Sequence, residues 1–224
     1  METRKVQSSR GAKFKGKVSS ANSRELKAVF LIVTEGVTEK NYFDMDLFRD
    51  KSVKVAVRQG DKPAPLALLR TADAWLAKLK KSKDLQPGDQ AWVVLDQDAS
   101  SDEQLSEVFD WASERKDRGV ALSVPAFEMW LLLHYSNAKG LLTQKEVEAA
   151  LGQHWPNFTK TAKPRFTLAQ VNQAIERADQ KVTDPVSSLS ELDSEVGRHA
   201  SVTTVHLLVK LILKSLYGSH VPLA

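Results

Sequence analysis

Val29-Phe30-Leu31-Ile32-Val33-Thr34 runs into Glu35-Gly36, and Ala91-Trp92-Val93-Val94-Leu95 runs into Asp96-Gln97-Asp98. Each apolar run is rich in β-branched and aromatic residues and too short for a stable helix, so each reads as a buried parallel strand. Open α/β sheets bind ligands at the carboxyl ends of their strands, where Glu35, Asp96 and Asp98 would be delivered. Three carboxylates at one edge repel each other unless a cation compensates them. Hard oxygen ligands of this kind suit magnesium or manganese rather than zinc.

The spacing has mechanical sense. A glycine after the acid lets the chain turn tightly while a bulky substrate approaches, so Gly36 is a candidate substrate-binding residue. Asp96 and Asp98 are two apart and in extended backbone point to one side. They can share one metal, or hold two metals roughly 3.5–4 Å apart, as nucleases and polymerases do. The other reading of these residues is a set of exposed loop acids.

Outward from the two strands, the chain alternates. Thr38 is a candidate N-cap of a helix packed through Tyr42, Phe43, Leu47 and Phe48. Val53, Val55 and Val57 alternate with polar residues and predict a strand over 52–58. A loop with Gly60, Pro63 and Pro65 leads to a helix carrying Leu66, Leu69, Ala72, Leu76 and Leu79. Pro87-Gly88-Asp89 is a turn that returns the chain to the Asp96 strand. A helix through Leu105, Val108, Phe109 and Ala112 precedes a fourth strand, Val120 to Val124. Asp102 and Glu103 read as acids starting that helix rather than as metal ligands. Strands alternating with helices imply right-handed crossovers and a mainly parallel sheet covered on both faces.

Beyond residue 136 strand signals fade. Thr143 to Leu151, Thr167 to Ala178 and Thr203 to Leu216 read as helices, and Thr183 to Ala200 as a loop with one short helix. The expected organisation is a basic flexible arm over 1–27, an α/β core over 28–136 and a helical portion over 137–224 packed on that core.

Composition excludes several classes. The chain has 224 residues, 42% hydrophobic content, no cysteine and a formal charge of +4. Disulfides and thiolate metal sites are excluded, and a reducing cytoplasm is the expected compartment. No apolar stretch approaches the roughly 20 residues that span a bilayer, so no membrane association is expected. Arg4, Lys5, Arg10, Lys13, Lys15 and Lys17 crowd the opening segment, which is either an electrostatic tether to a phosphate backbone or a solubilising tail.

Glu35-Gly36-Val37-Thr38-Glu39-Lys40-Asn41-Tyr42-Phe43, Leu95-Asp96-Gln97-Asp98, Pro125-Ala126-Phe127-Glu128-Met129-Trp130-Leu131-Leu132-Leu133-His134-Tyr135 and Ser201-Val202-Thr203-Thr204-Val205 together resemble the blocks of the RloB-like family. A Glu ending the first strand and an Asp-x-Asp ending a later one also resemble the Toprim domain of topoisomerases, primases and OLD-family nucleases. The resemblance implies a Toprim-like α/β core, magnesium (or manganese) dependence, and a nuclease role in phage defence with an ATPase partner. Ala99-Ser100-Ser101 departs from the shorter, more acidic continuation that many relatives have after the Asp-x-Asp.

Phe127, Trp130, Leu131 and His134 share one helix face, which reads as core packing; the histidine's other reading is a general acid or base. Glu128 is offset from that face. It is either an acid serving the helix dipole or a fourth carboxylate at the same sheet edge, and the second reading is preferred. Arg58 and Lys62 flank Gly60 in a loop aimed at the acids, where a cation would neutralise a phosphate. Lys160, Lys163 and Arg165 interleave with Phe158 and Phe166, which reads as a loop packed by its two rings before it reads as a nucleic-acid grip.

The expected site is therefore Glu35, Asp96, Asp98 and Glu128 as metal ligands and catalytic acids, with Gly36, Arg58 and Lys62 toward substrate. The leading reading is cleavage of DNA or RNA, and the rival is a non-catalytic subunit docked on an ATPase or modification complex. A phosphatase of the haloacid dehalogenase type fits less well, because its Asp-x-Asp follows the first core strand.

Overall fold

The computed structural model describes residues 28–57, 65–97, 100–182, 188–196 and 201–218. The basic arm, Arg58, Lys62 and Asp98 lie outside the described residues.

Five strands form one sheet in the order β2-β1-β3-β4-β5. They are β1 (Phe30–Thr34), β2 (Val53–Val57), β3 (Gln90–Asp96), β4 (Arg118–Val124) and β5 (Val202–Thr203). The first four are parallel, and β5 runs antiparallel to β4. This is an α/β fold with a mostly parallel sheet. From β1 the chain steps to β2 on one side, then crosses back to β3 on the other. The strand order therefore reverses between β1 and β3, which makes that junction a topological switch point.

Alternation along the strands divides the core into two layers. Leu31, Val33, Ala91, Val93, Leu95 and Leu122 face α2 (Pro65–Ser82), α3 (Asp102–Ser113) and α7 (Leu189–Val196). Phe30, Ile32, Trp92, Val94 and Ala121 face α1 (Val37–Phe43), α4 (Glu128–Leu133), α5 (Gln144–His154), α6 (Leu168–Asp179) and α8 (Val205–Tyr217). On this second face the sheet and the C-terminal helices share one apolar cluster. Complete burial of a side chain such as Phe48, Phe127 or Met129 contributes roughly 1.5–3 kcal/mol. The register sets Trp92 beside Gly119, where a Cβ would come within 2.4 Å of the indole, so only glycine lets the ring lie on the sheet.

Local signals place most helix starts. Ser101 with Gln104, Thr143 with Glu146, and Thr167 with Gln170 each form a reciprocal capping box. Asp102 and Glu103 lie in the first turn of α3, as their reading as helix-starting acids requires. Asp89, in the expected turn, accepts from the backbone amides of Val29 and Gln86 and so ties the start of β1 to that turn.

The structure corrects three expectations. Gly36, not Thr38, is the N-cap of α1; the Thr38 hydroxyl is committed to a distant carbonyl instead. That helix stops at Asp44, and Leu47 and Phe48 belong to a separate 3-10 turn, Asp46–Phe48. Residues 202–203, expected inside or beside the last helix, form β5, a strand too short to show any periodicity. Its flank is fixed by polar side chains. The Leu122 amide donates to the Thr204 hydroxyl at 2.9 Å, and the Thr204 amide returns a bond to the Leu122 carbonyl at 2.9 Å. Thr204→Val would leave a buried amide without its acceptor and should cost about 1–3 kcal/mol, read as a lower denaturant midpoint with an unchanged m-value.

Candidate functional site

β1 and β3 are paired with Thr34 beside Val94, so Glu35 and Asp96 leave adjacent strands at the switch point. The Asp96 amide donates to Glu35 Oε2 at 3.4 Å, which places the Glu35 carboxylate against the end of β3. Asp96 in turn pairs with Ser123 of β4. Glu128 opens α4 a few residues beyond that strand and is 2% exposed. The sheet thus brings Glu35, Asp96 and Glu128 to one edge.

A further acid joins them. Glu39 lies in the first turn of α1 and is 4% exposed. Burial, and then the charges of Glu128 and Glu35, push its carboxyl up to about 7, against the pull of its own backbone amide and of Lys160. In the sequence Glu39 lies inside the Glu35–Phe43 motif with no role of its own. An acid in a first helical turn is ordinary, and nothing local marks this one as buried among other acids.

Gly36 serves that residue. Its φ of −127° is accessible to any amino acid, so backbone freedom is not what the position requires. A Cβ there would stand 2.8 Å from a Glu39 carboxylate oxygen. The chain does bend at Glu35 and Gly36 as expected, and what the glycine adds there is room for the Glu39 carboxylate rather than backbone freedom.

Among the described residues, no group of three or more His, Asp or Glu side chains stands in an arrangement that could hold a metal ion. Asp98 lies outside those residues. The chemistry of the donors is nevertheless that of a hard cation, since all of them are carboxylates. Burial first, and then the neighbouring Glu128 and Glu35 charges, favour the protonated form of Glu39.

His134 belongs to the core. It is 1% exposed, its Nδ1 lies 3.0 Å from the Trp130 carbonyl, its Nε2 lies 3.2 Å from the Tyr42 hydroxyl, and its ring stacks on Phe166 at 3.8 Å. Burial pushes it down to about 3. Phe158 packs on Trp155 and Phe166 on His134, so the two phenylalanines pack their loop as expected. Lys160, a cation of that loop, has its Nζ 4.0 Å from Glu128 Oε1. Among the described residues, no helix is long and apolar enough to cross a membrane.

A mostly parallel α/β sheet with acids converging on its switch point defines the general class of this protein. The model of RloB-like proteins matches residues 30–212, and the chain belongs to the RloB-like family. No curated protein and no solved structure matches it.

Proposed function

We propose that this RloB-like protein is a metal-dependent nuclease that hydrolyses phosphodiester bonds of DNA or RNA on a Toprim-like core. In this reading it acts in phage defence together with an ATPase partner. The observation that carries the proposal is the convergence of Glu35, Asp96, Glu39 and Glu128 on one strand edge, two of them almost wholly buried. Bringing acids out of water where their charges act on one another is costly, and such costs gather where chemistry uses them.

Glu35, Asp96, Asp98 and Glu128 would hold magnesium or manganese, which when bound supplies Lewis acidity at a phosphate oxygen and a water of lowered pKa. The chain supplies the rest. Backbone pairing of β1, β3 and β4 sets the spacing of the acids. The Asp96 amide orients Glu35.

Glu128→Gln keeps shape and hydrogen bonding and removes the charge that holds a hard cation. It should lower magnesium- or manganese-dependent cleavage by at least about 100-fold while the unfolding midpoint holds or rises. EDTA should abolish wild-type cleavage. A fully active variant would reduce Glu128 to a residue serving the dipole of α4. A wild-type protein that binds an ATPase tightly yet cuts nothing, with or without it, would favour the docking-subunit reading.

A further inference from the structure

The segment after Gly36 holds two polar side chains that the acidic cluster does not use. Thr38 and Asn41 are each 8% exposed. The Thr38 hydroxyl donates to the Lys160 carbonyl at 3.0 Å. The Asn41 amide donates to the carbonyls of Thr161 and Ala162 at 3.0 and 3.2 Å. Three successive carbonyls of a C-terminal loop are thereby tied to the first helix beyond Glu35. The loop is also closed on itself, with the Ala162 amide donating to the Thr159 carbonyl at 2.8 Å.

The tie fixes the backbone of one residue in particular. Lys160 extends its ammonium to 4.0 Å from Glu128 Oε1, with its own side chain 65% exposed and that of Glu128 2% exposed. That separation exceeds a hydrogen bond, and so exposed a cation adds little to stability. The arrangement makes more sense toward a ligand. A phosphodiester entering a cluster of carboxylates is repelled by them, and a cation between the buried acids and solvent offsets the repulsion. Lysine suits the task as a compact point charge with three donors.

We propose that Lys160 binds a non-bridging phosphate oxygen of the nucleic-acid substrate, and that Thr38 and Asn41 are positioning residues that hold its loop over the acids. The inference rests on the nuclease reading and adds to it the residue that receives the phosphate. The expectation that Arg58 and Lys62 supply a cation falls on residues outside the described ones and is left as it stands.

The test uses the full chain with fluorescent single-stranded DNA and RNA oligonucleotides of one sequence. Binding is read by anisotropy in calcium, and cleavage in magnesium. Lys160→Met should weaken binding about five- to tenfold at low salt, reduce the salt slope by about one and leave the melting temperature unchanged. Lys160→Arg should recover most of that loss. Thr38→Val retains the charge but frees the loop, so it should raise KM more than it lowers kcat, and Thr38→Ser should restore the wild-type value. Wild-type binding and salt slope in Lys160→Met, beside a wild-type protein that cuts, would overturn this inference and leave the nuclease reading standing. A wild-type chain that neither binds nor cuts either oligonucleotide would overturn both.

Discussion

Glu39→Gln should raise the melting temperature of the metal-free protein by several degrees near about pH 8 and change it little near about pH 4. The sign follows from linkage. The Glu39 carboxyl sits at about 7 in the fold against an ordinary 4.5, raised first by burial and then by Glu128 and Glu35. A group raised in this way holds its proton more tightly when folded. Its contribution is complete below the ordinary value and is lost as pH rises through the folded one. In the alkaline limit the cost is of order a few kcal/mol, and a chain of this size moves about 2–4 °C per kcal/mol. Glutamine carries no proton to lose, so the variant's stability should be flatter across that window. Added magnesium should raise the wild-type midpoint at the higher pH and do less for the variant. A variant that melts at or below the wild type at both pH values would mean that the chain already compensates this carboxylate, and the site's demand for a cation would go with it.

On the acid side the large effect belongs to His134. Its ring is buried, with Nδ1 against the Trp130 carbonyl and Nε2 against the Tyr42 hydroxyl. A neutral imidazole satisfies both if Nδ1 donates to the carbonyl and Nε2 accepts from the phenol. Burial holds the ring down to about 3, below the ordinary 6.5. A depressed histidine contributes stability in full above 6.5 and loses it as pH falls toward 3. The loss should approach about 1.4 kcal/mol per pH unit within that window. Replacing His134 and Tyr42 together by phenylalanine removes both polar partners, so the pair variant should lose less stability between neutral and acid pH. Denaturant midpoints across the range measure this. A His134 ring that titrates near 6.5 in the folded protein, by proton resonance, would return the residue to solvent and to the list of candidate bases.

Much of this architecture is legible residue by residue. Val29 to Thr34 and Ala91 to Leu95 are short, β-branched and bounded by acids, which is enough to define buried strands and the edge at which they deliver Glu35 and Asp96. The helices over 144–154 and 168–179 start beside Thr143 and Thr167, where the sequence reading begins them, and the structure closes each start with a capping box. Thr38 looks like such a cap and is not one, because the loop carbonyl it bonds is 122 positions away. A two-residue strand such as Val202–Thr203 has no period to detect; its pairing with Ser123 and Val124 defines it.

The same division governs the site. Local chemistry identifies Glu35 and Asp96 as acids at strand ends and Glu128 as an acid at a helix start, since strand and helix signals lie within a few residues of each. It does not single out Glu39, and it names Lys160 only among the cations of a basic–aromatic loop. Glu39 is exceptional only because Gly36 leaves it room and because packing sets Glu128 and Glu35 around it. Lys160 looks like any surface lysine until Thr38 and Asn41 bind its loop. Sequence alone determined the α/β class, the acidic strand edge and the chemical type of its donors, all of which depend on short-range pattern. Tertiary structure decided which acids lose their water and which cation faces them, because desolvation and Coulomb interaction depend on distance in space, and here that distance joins residues more than a hundred positions apart.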